Sequence, residues 1–443
     1  MNVHVLPTTT RRRLLMTAYH YDRAYSMESR LSWQRAQFAA RDYDVTVLSA
    51  RPPIDDEDRA ALTNDGRIRV ELLTLNRRER MLMATPGLYY LGYRQWHRRA
   101  FRRAKQLHAA QPFEIAHHVS FCGYREPSDC WRLGAPFVWG PVGGTQTFPR
   151  AFYGELGRLD AWREAVRNVA NSLQLRYDPR VRRAARQSAC VLAANLAVSH
   201  DLAAALKVQS LVQLETGIDL AANVITRSAE SWEPLRILWA GRLQPWKGLP
   251  LLLKGLAALS NDVRYQLRIL GEGPCEGRWR RLATELGVSE NVEWVGWPAY
   301  RGQLPFYRWA DVFAFTSLRD TSGTGLLEAL AAGAPIIGLD HQGAADIMTA
   351  RCALPVDAAT PQTAVEGFRR AVARLAEDRQ LLAGLSEGAI QRAADFTWER
   401  QWSVMKQVYA EAERRTPTSA LLKKSSSVPE RVVQELELLE TFS

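Results

Sequence analysis

The sequence predicts an α/β protein with two doubly wound parallel sheets. Apolar runs typical of buried strands alternate with helical segments through both halves of the chain. In the first half the predicted helices include 29–41, 86–110 and most of 151–190, and the predicted strands are residues 14–18, 45–48, 68–75, 115–119, 136–139 and 191–198. This alternation is typical of parallel strands joined by crossover helices.

A second alternating unit begins after the polar, irregular stretch 217–234. Its predicted helices include 249–259 and 326–332, and its predicted strands are 235–240, 265–270, 292–296, 312–315 and 335–338. We therefore place a first domain at residues 1–220 and a second at 221–395, which suits a chain of 443 residues. Residues 416–443 are predicted to form a linker and then a short acidic helix.

The positive charge is concentrated in the first half of the chain. Of the net charge of +11, residues 1–200 carry +13 and the remainder carries −2. The predicted helix 86–110 combines arginines with Tyr89, Tyr90, Tyr93, Trp96 and Phe101, a combination that suits an anionic membrane surface. A solvated basic face with its aromatics in the core is the alternative. No nucleic-acid-binding module is recognisable.

The stretch from Asp320 to Glu328 is the strongest candidate for a binding site. A short loop with Gly323 and Gly325 joins an apolar strand to an Ala/Leu-rich helix. The N-terminus of such a helix presents unpaired N–H groups and a partial positive charge, which suits a phosphate. Asp320 and Glu328 flank this N-terminus, so hydroxyl groups of a nucleotide sugar suit the same site. An ordinary crossover with a helix-capping acid is the alternative.

Other polar residues fall at the predicted carboxyl ends of strands, where ligands of doubly wound sheets bind. Arg242 and Lys247 share one loop and suit a diphosphate. His117 and His118 end one strand of the first domain, and Gly140-Pro141-Val142-Gly143-Gly144 follows the next. The Gly-x-Gly at 271–273 lacks the third glycine and the acidic residue of a dinucleotide-binding motif, which argues against a nicotinamide-dependent enzyme.

Taken in order, these pieces resemble the donor domain of glycosyltransferase family 4, whose members have the GT-B fold of two Rossmann-like domains facing across a cleft. The resemblance covers roughly residues 214–410. It rests on Gly241-Arg242-Leu243 with Lys247-Gly248, on Leu270-Gly271-Glu272-Gly273-Pro274, on Val295-Gly296 and on 320–335. The first half resembles the acceptor domain more loosely, through Glu28 with Trp33, 117–121 and 139–144. The family pattern also implies that a helix at 396–415 crosses back to the first domain.

The resemblance implies a retaining transfer of a sugar from a nucleotide donor, with no metal or other cofactor. Arg242 and Lys247 would hold the diphosphate, Asp320 the transferred sugar and Glu328 the ribose. His118, with His117 as its alternate, would contact the sugar from the acceptor side. The backbone of the donor site would come from Gly325, Leu326, Leu327, Gly271 and Gly143. Uridine and guanosine diphosphate sugars both remain open as donors.

Two departures from the family pattern bear on function. Asp320 replaces the usual Glu, and the N-terminal loop 24–30 lacks its usual glycines, which leaves Ser26, Ser29 and Arg30 as side-chain alternatives. The expected protein is a cytoplasmic enzyme of polysaccharide or glycolipid synthesis, peripheral on the inner membrane face, with a saccharide or lipid-linked acceptor and no nucleic-acid partner. A non-catalytic nucleotide-sugar-binding protein and a sugar-nucleotide epimerase are the alternatives.

Overall fold

The computed structural model describes residues 11–23, 26–51, 63, 64, 66–121, 123–220, 227, 234–298 and 302–415. The tail predicted to form a linker and an acidic helix, residues 416–443, lies outside these ranges. So do Ala24 and Tyr25 of the N-terminal loop.

The first half of the described chain forms a parallel sheet of seven strands. The strands are β1 (Arg12–Ala18), β2 (Tyr43–Ser49), β3 (Ile68–Leu72), β4 (Ile115–Ser120), β5 (Phe137–Val142), β6 (Cys190–Ala193) and β7 (Leu211–Val212), in the order β3-β2-β1-β4-β5-β6-β7. The helices that join them are α1 (Met27–Ala39), α2 (Arg77–Ala84), α3 (Tyr89–Ala110), α4 (Arg158–Tyr177), α5 (Pro179–Gln187) and α6 (Leu196–Leu206). Two buried apolar clusters fill the space between the sheet and its helices.

The second half forms a parallel sheet of six strands. They are β8 (Leu235–Ala240), β9 (Tyr265–Leu270), β10 (Val292–Gly296), β11 (Val312–Phe315), β12 (Ile336–Leu339) and β13 (Ala353–Val356), in the order β10-β9-β8-β11-β12-β13. Its helices are α7 (Leu249–Ala257), α8 (Glu276–Glu285), α9 (Leu304–Trp309), α10 (Thr324–Ala331), α11 (Gly343–Ile347), α12 (Pro361–Glu377), α13 (Arg379–Ala393) and α14 (Trp398–Arg414). The two parallel, doubly wound sheets confirm the predicted fold class.

One predicted strand is wrong in its second half. The apolar run 191–198 supplies strand β6 only as far as Ala193. Asn195 then adopts an extended backbone and its side chain accepts a hydrogen bond from the amide of Val198, so the chain begins α6 at Leu196. A capping asparagine ends the strand because its side-chain oxygen satisfies an unpaired helix amide.

The two halves are joined by a short parallel contact and by the last helix. Ile218 pairs with Thr397, with hydrogen bonds from Ile218 N to Phe396 O at 2.9 Å and from Trp398 N to Ile218 O at 3.3 Å. Helix α14 then packs on α1 and on the first sheet. Within the described ranges, none of the helices combines the length and the apolar character needed to cross a bilayer.

Candidate active site

Lys247 and Asp320, predicted from two separate motifs, form an ion pair at the carboxyl ends of β8 and β11. Their side chains are 22% and 23% exposed, so the pair is accessible from solvent without being free in it. Burial would raise the pKa of Asp320, but the Lys247 ammonium and several hydrogen bonds outweigh it and leave that pKa lowered. Asp320 is therefore an ionised acceptor at neutral pH.

The backbone around Lys247 is held by β11. Thr316 Oγ1 donates to Lys247 O at 2.5 Å and accepts from Trp239 Nε1 at 2.8 Å. Gly248 follows with a φ of +62°, and a Cβ there would lie 2.4 Å from Thr316 O. The Lys-Gly pair is therefore a structural requirement, because only glycine lets the loop turn this close to the neighbouring strand.

Helix α10 begins beside this ion pair. Gly323 precedes it with a φ of +56°, and a Cβ at Gly325 would lie 3.2 Å from the Phe313 ring and 3.2 Å from the Tyr307 hydroxyl. The side chains of Leu326 and Leu327 are fully buried, so only their backbone can serve a ligand. Leu326 N already donates to Gly323 O at 2.8 Å. The amides available to a ligand are therefore those before Leu326, at the N-terminus of the helix. Glu328 is half-buried in the second turn.

The other predicted donor-side residues lie on neighbouring loops. Arg242 is exposed in the loop after β8. Gly271 directly follows β9, where its amide donates to Gly296 O at 2.8 Å and a Cβ would lie 2.0 Å from Gly241 O. Gly271 is therefore required for the close approach of three strand ends.

The two histidines point to opposite faces of β4, and both are buried. His117 Nε2 contacts Gly140 O and its Nδ1 contacts the hydroxyl of Tyr409 on α14, each at 2.7 Å. His118 Nδ1 lies 2.8 Å from Thr17 Oγ1, while its Nε2 has no hydrogen-bond partner among the described residues. Burial lowers the pKa of His117 to about 3 and that of His118 to about 4, so both rings are neutral at pH 7. His118 is only 2% exposed, so a contact of its ring with a substrate stays a prediction.

Gly143 marks the place where the two halves meet, which we call the inter-domain junction (loops 143–147 and 320–322, with Glu215). A Cβ at Gly143 would lie 2.6 Å from Thr321 Cγ2 and 2.8 Å from Glu215 Oε1. Asn195 Nδ2 donates to Thr321 O at 2.6 Å across the same junction. These contacts put the glycine-rich loop of the first sheet against the Asp320 loop of the second.

Glu215 is a component of the site that sequence reasoning missed. Its backbone carbonyl and that of Leu214 accept hydrogen bonds from Arg35 at 2.9 and 2.8 Å, and its Oε2 lies 3.4 Å from Ser322 Oγ. Burial and then the Asp320 carboxylate raise the pKa of Glu215 to about 8, against the opposing effect of Arg35. A carboxyl group that is protonated at neutral pH can donate a hydrogen bond to a substrate oxygen.

The raised pKa of Glu215 predicts a pH-dependent stability. Between its ordinary value of 4.5 and about 8 the folded protein keeps a proton that the unfolded chain releases, so stability falls as the pH rises through this window. Glu215→Gln cannot ionise, and we expect it to raise the free energy of unfolding at pH 9 by on the order of 3 kcal/mol, with little change at pH 5. Urea denaturation at both values measures the difference.

Glu290→Gln, at an exposed acid distant in sequence, is the matched control and should behave alike at pH 5 and pH 9. If the stability difference between Glu215→Gln and wild type were no larger at pH 9 than at pH 5, the raised pKa of Glu215 would be contradicted.

The side chains considered for the N-terminal loop are used within the fold. Ser26 and Ser29 cap α1 reciprocally, with Ser29 N donating to Ser26 Oγ at 3.2 Å and Ser26 N to Ser29 Oγ at 2.9 Å. Arg30 lies 3.4 Å from Asp219. Across the part of the chain that the structure describes, no three His, Cys, Asp or Glu side chains come together as a metal site would require.

The arrangement of two parallel sheets is that of the GT-B fold. A glycosyltransferase from Rickettsia africae ESF-5 superimposes with a TM-score of 0.62, covering 91% of this chain and 98% of that chain at 14% identity. Anabaena Alr3699/HepE, in a structure with UDP and glucose, gives a TM-score of 0.60, covering 90% and 100% at 15% identity. Similarity at this level of identity shows the fold alone, and it confirms the predicted GT-B class.

The second half of the chain matches the model of a known family. Residues 225–392 match the sequence profile of the family described as glycosyl transferases group 1. That stretch is therefore a glycosyl transferases group 1 domain, which confirms the resemblance drawn from Lys247-Gly248 and the loop at 320–328. Membership of family 4 in particular stays a prediction.

Curated relatives support the same assignment. D-inositol 3-phosphate glycosyltransferase of Corynebacterium glutamicum (strain R) is 29% identical over 185 residues, 40% of this chain and 43% of the relative. The lipopolysaccharide core biosynthesis glycosyltransferase LpsE of Rhizobium meliloti (strain 1021) is 31% identical over 152 residues, 34% and 42% respectively. The match covers less than half the length of each relative.

Proposed function

We propose that this protein is a retaining, metal-independent glycosyltransferase that transfers a sugar from a nucleoside-diphosphate sugar to a saccharide or lipid-linked acceptor. The observation that carries the proposal is the Lys247–Asp320 pair beside the N-terminus of α10, within a glycosyl transferases group 1 domain. A cation, the helix amides and an ionised carboxylate that can accept hydrogen bonds from hydroxyl groups therefore lie at one edge of the sheet. That combination suits a diphosphate and the sugar attached to it.

In the proposed complex Lys247 and Arg242 hold the diphosphate and stabilise the charge that develops on the leaving group. Such stabilisation of developing charge is usually the largest single contribution to catalysis. Asp320 accepts hydrogen bonds from the transferred sugar and Glu328 from the ribose. His118 Nε2 and the Gly143 loop approach from the first domain. Support for a nucleotide donor comes from Anabaena Alr3699/HepE, whose structures include one with UDP and one with UDP-glucose.

A transfer assay tests the proposal. UDP-glucose and GDP-mannose are supplied with an envelope lipid extract and excess chelator, and release of the nucleoside diphosphate is followed. We expect release that depends on the acceptor and persists with chelator, with an anomeric configuration retained in the product. Conversion of the donor without any acceptor would favour an epimerase. Binding without release or conversion would favour the non-catalytic alternative.

Two groups of exposed apolar residues in the first half support a peripheral membrane location. Helix α4 exposes one apolar stripe, with Trp162 63% and Val169 58% exposed; its members are Leu159, Trp162, Val166, Val169 and Leu173, and we call it the outer face of α4. The start of α3 exposes Leu88 through Leu91. Arg125 links the two groups, since it bonds Asn171 on α4 and lies 6.0 Å from the Tyr90 ring.

Part of the aromatic pattern that suggested membrane contact belongs to the core, because Tyr93 and Trp96 are buried. The outer face of α4 instead supplies the apolar surface, and the same helix carries exposed arginines at Arg158, Arg163 and Arg176. An exposed apolar stripe with flanking arginines suits an anionic bilayer. The proposed location is therefore the cytoplasmic membrane surface.

Vesicle sedimentation tests this location. We expect the protein to bind vesicles containing phosphatidylglycerol more than vesicles of phosphatidylcholine, because each basic residue near an anionic surface contributes about 1 kcal/mol. Trp162→Ser with Leu173→Ser should reduce binding at least about tenfold, since two large apolar groups leave the bilayer. Leu211→Ser with Val404→Ser, at exposed apolar positions elsewhere, should leave it unchanged. Absence of binding to both vesicles, or a dimer that the Trp162 variant dissociates, would contradict the membrane surface.

A further inference from the structure

A cavity of about 430 Å³ lies between the two halves of the molecule, next to the Lys247–Asp320 pair. The first half contributes α4, through Asp160, Arg163, Glu164 and Arg167, and the second half contributes Trp246, Arg278 and Arg319. Trp246 and Arg319 adjoin Lys247 and Asp320 in sequence. None of these lining residues belongs to the predicted donor site.

The charged residues of the cavity leave an excess of positive charge. Four arginines face two acids, and two of the ion pairs between them are long, Arg163–Asp160 at 3.7 Å and Arg278–Asp160 at 3.9 Å. The third pair, Arg319–Glu164, lies at 3.2 Å. Arg319 Nη1 and Glu164 Oε2 are the two atoms of the 3.2 Å pair, and neither makes a well-aligned hydrogen bond within the described residues. Three of the four guanidinium groups therefore share two carboxylates, and donor capacity remains for an anion.

Arg319 is held in position although other positively charged guanidinium groups lie near it. Its guanidinium group lies over the Trp246 ring at 4.4 Å, and its side chain is only 12% exposed. Burial, and next the Arg167 guanidinium, lower the pKa of Arg319 to about 10. A bound anion would relieve the repulsion between these two cations, and planar guanidinium groups match the oxygens of a phosphate.

We propose that this inter-domain cavity binds the phosphate or diphosphate group of an anionic acceptor. The inference rests on the proposed transferase function, in which the acceptor must meet the donor sugar beside Asp320. Helix α4 supplies the cavity residues Asp160, Glu164 and Arg167 on its inner face, and the apolar stripe lies on its outer face. A phosphate carried on a lipid and one carried on a soluble sugar both fit this chemistry.

The test is a calorimetric titration of inorganic pyrophosphate into the full-length protein already saturated with the nucleoside diphosphate that it binds. We expect one further site, with Kd raised at least about tenfold in Arg163→Gln with Arg278→Gln. These two side chains are 63% and 42% exposed, so their replacement should leave the fold intact. Arg281→Gln with Arg370→Gln removes the same charge from exposed positions outside the cavity and should leave Kd within about twofold.

Farnesyl diphosphate in place of pyrophosphate distinguishes a phosphate carried on a lipid from one carried on a soluble sugar. Tighter binding of farnesyl diphosphate than of pyrophosphate would assign a lipid-linked acceptor, and equal binding would assign a soluble one. Absence of a second site in the nucleotide-saturated protein, or equal loss in both double variants, would overturn the proposal. Because the nucleotide is bound first, failure of the donor site itself is seen separately, before any pyrophosphate is added.

Discussion

Lys247→Ala should lower kcat/KM for sugar transfer by about 10²–10³. The ammonium group pairs with Asp320 and lies where the diphosphate is proposed to bind, so its removal takes away stabilisation of the leaving group. It also leaves Asp320 without its cation, and the carboxylate would then repel the donor phosphates. Steady-state kinetics with the donor identified in the transfer assay gives the ratio.

The matched control is Lys406→Ala, at an exposed lysine on α14. It removes the same charge from the chain and should change kcat/KM by less than about twofold. If the two variants lose activity equally, or if Lys247→Ala keeps wild-type activity, Lys247 does not bind the nucleotide-sugar donor. A thermal unfolding midpoint close to that of wild type would show that the loss is not a loss of fold.

Gly271→Ala should destabilise the second domain severely, by on the order of 4 kcal/mol or more. A Cβ there would lie 2.0 Å from the backbone oxygen of Gly241, and the two residues directly follow the paired strands β9 and β8. Neither strand can move away without breaking its sheet contacts. Urea denaturation of wild type and variant measures the change in the free energy of unfolding.

Gly277→Ala makes the same chemical change six residues away, and we expect it to have the opposite effect on the free energy of unfolding. Gly277 lies in α8, and a Cβ there would meet nothing within 4 Å. Alanine is the better helix former, so we expect this variant to be stabilised by up to about 1 kcal/mol. Equal effects at the two glycines would contradict the close approach of the β8 and β9 ends.

The sheets were largely predictable from the sequence because each buried parallel strand is a short apolar run. Residues 235–240, 265–270 and 312–315 are predicted and observed with the same bounds. Strand β7, only two residues long and exposed, has no such run, and its residues were not predicted as a strand. The start of α6 was missed because Asn195 interrupts an otherwise apolar segment.

The donor side of the candidate site was also predictable in outline, since its residues fall at strand ends. The acceptor side was not. Glu215 lies in the segment that leads into the irregular stretch 217–234, and only the fold brings it close to Asp320 and Ser322. The inner face of α4 reads in sequence as ordinary surface charge, because its partners Arg278 and Arg319 come from the other half of the chain. Sequence periodicity also did not show that the outer apolar stripe of α4 is exposed.

The most direct test of the central claim is a calorimetric titration of the protein with UDP, GDP and ADP, without added metal. We expect one of them to bind with a micromolar Kd, and its affinity to fall at least about tenfold in Glu328→Ala, because the ribose contact is lost. Glu290→Ala, at an exposed acid, should bind as wild type does. Binding of none of the three nucleotides, or equal binding by wild type and Glu328→Ala, would contradict the assignment of the donor site.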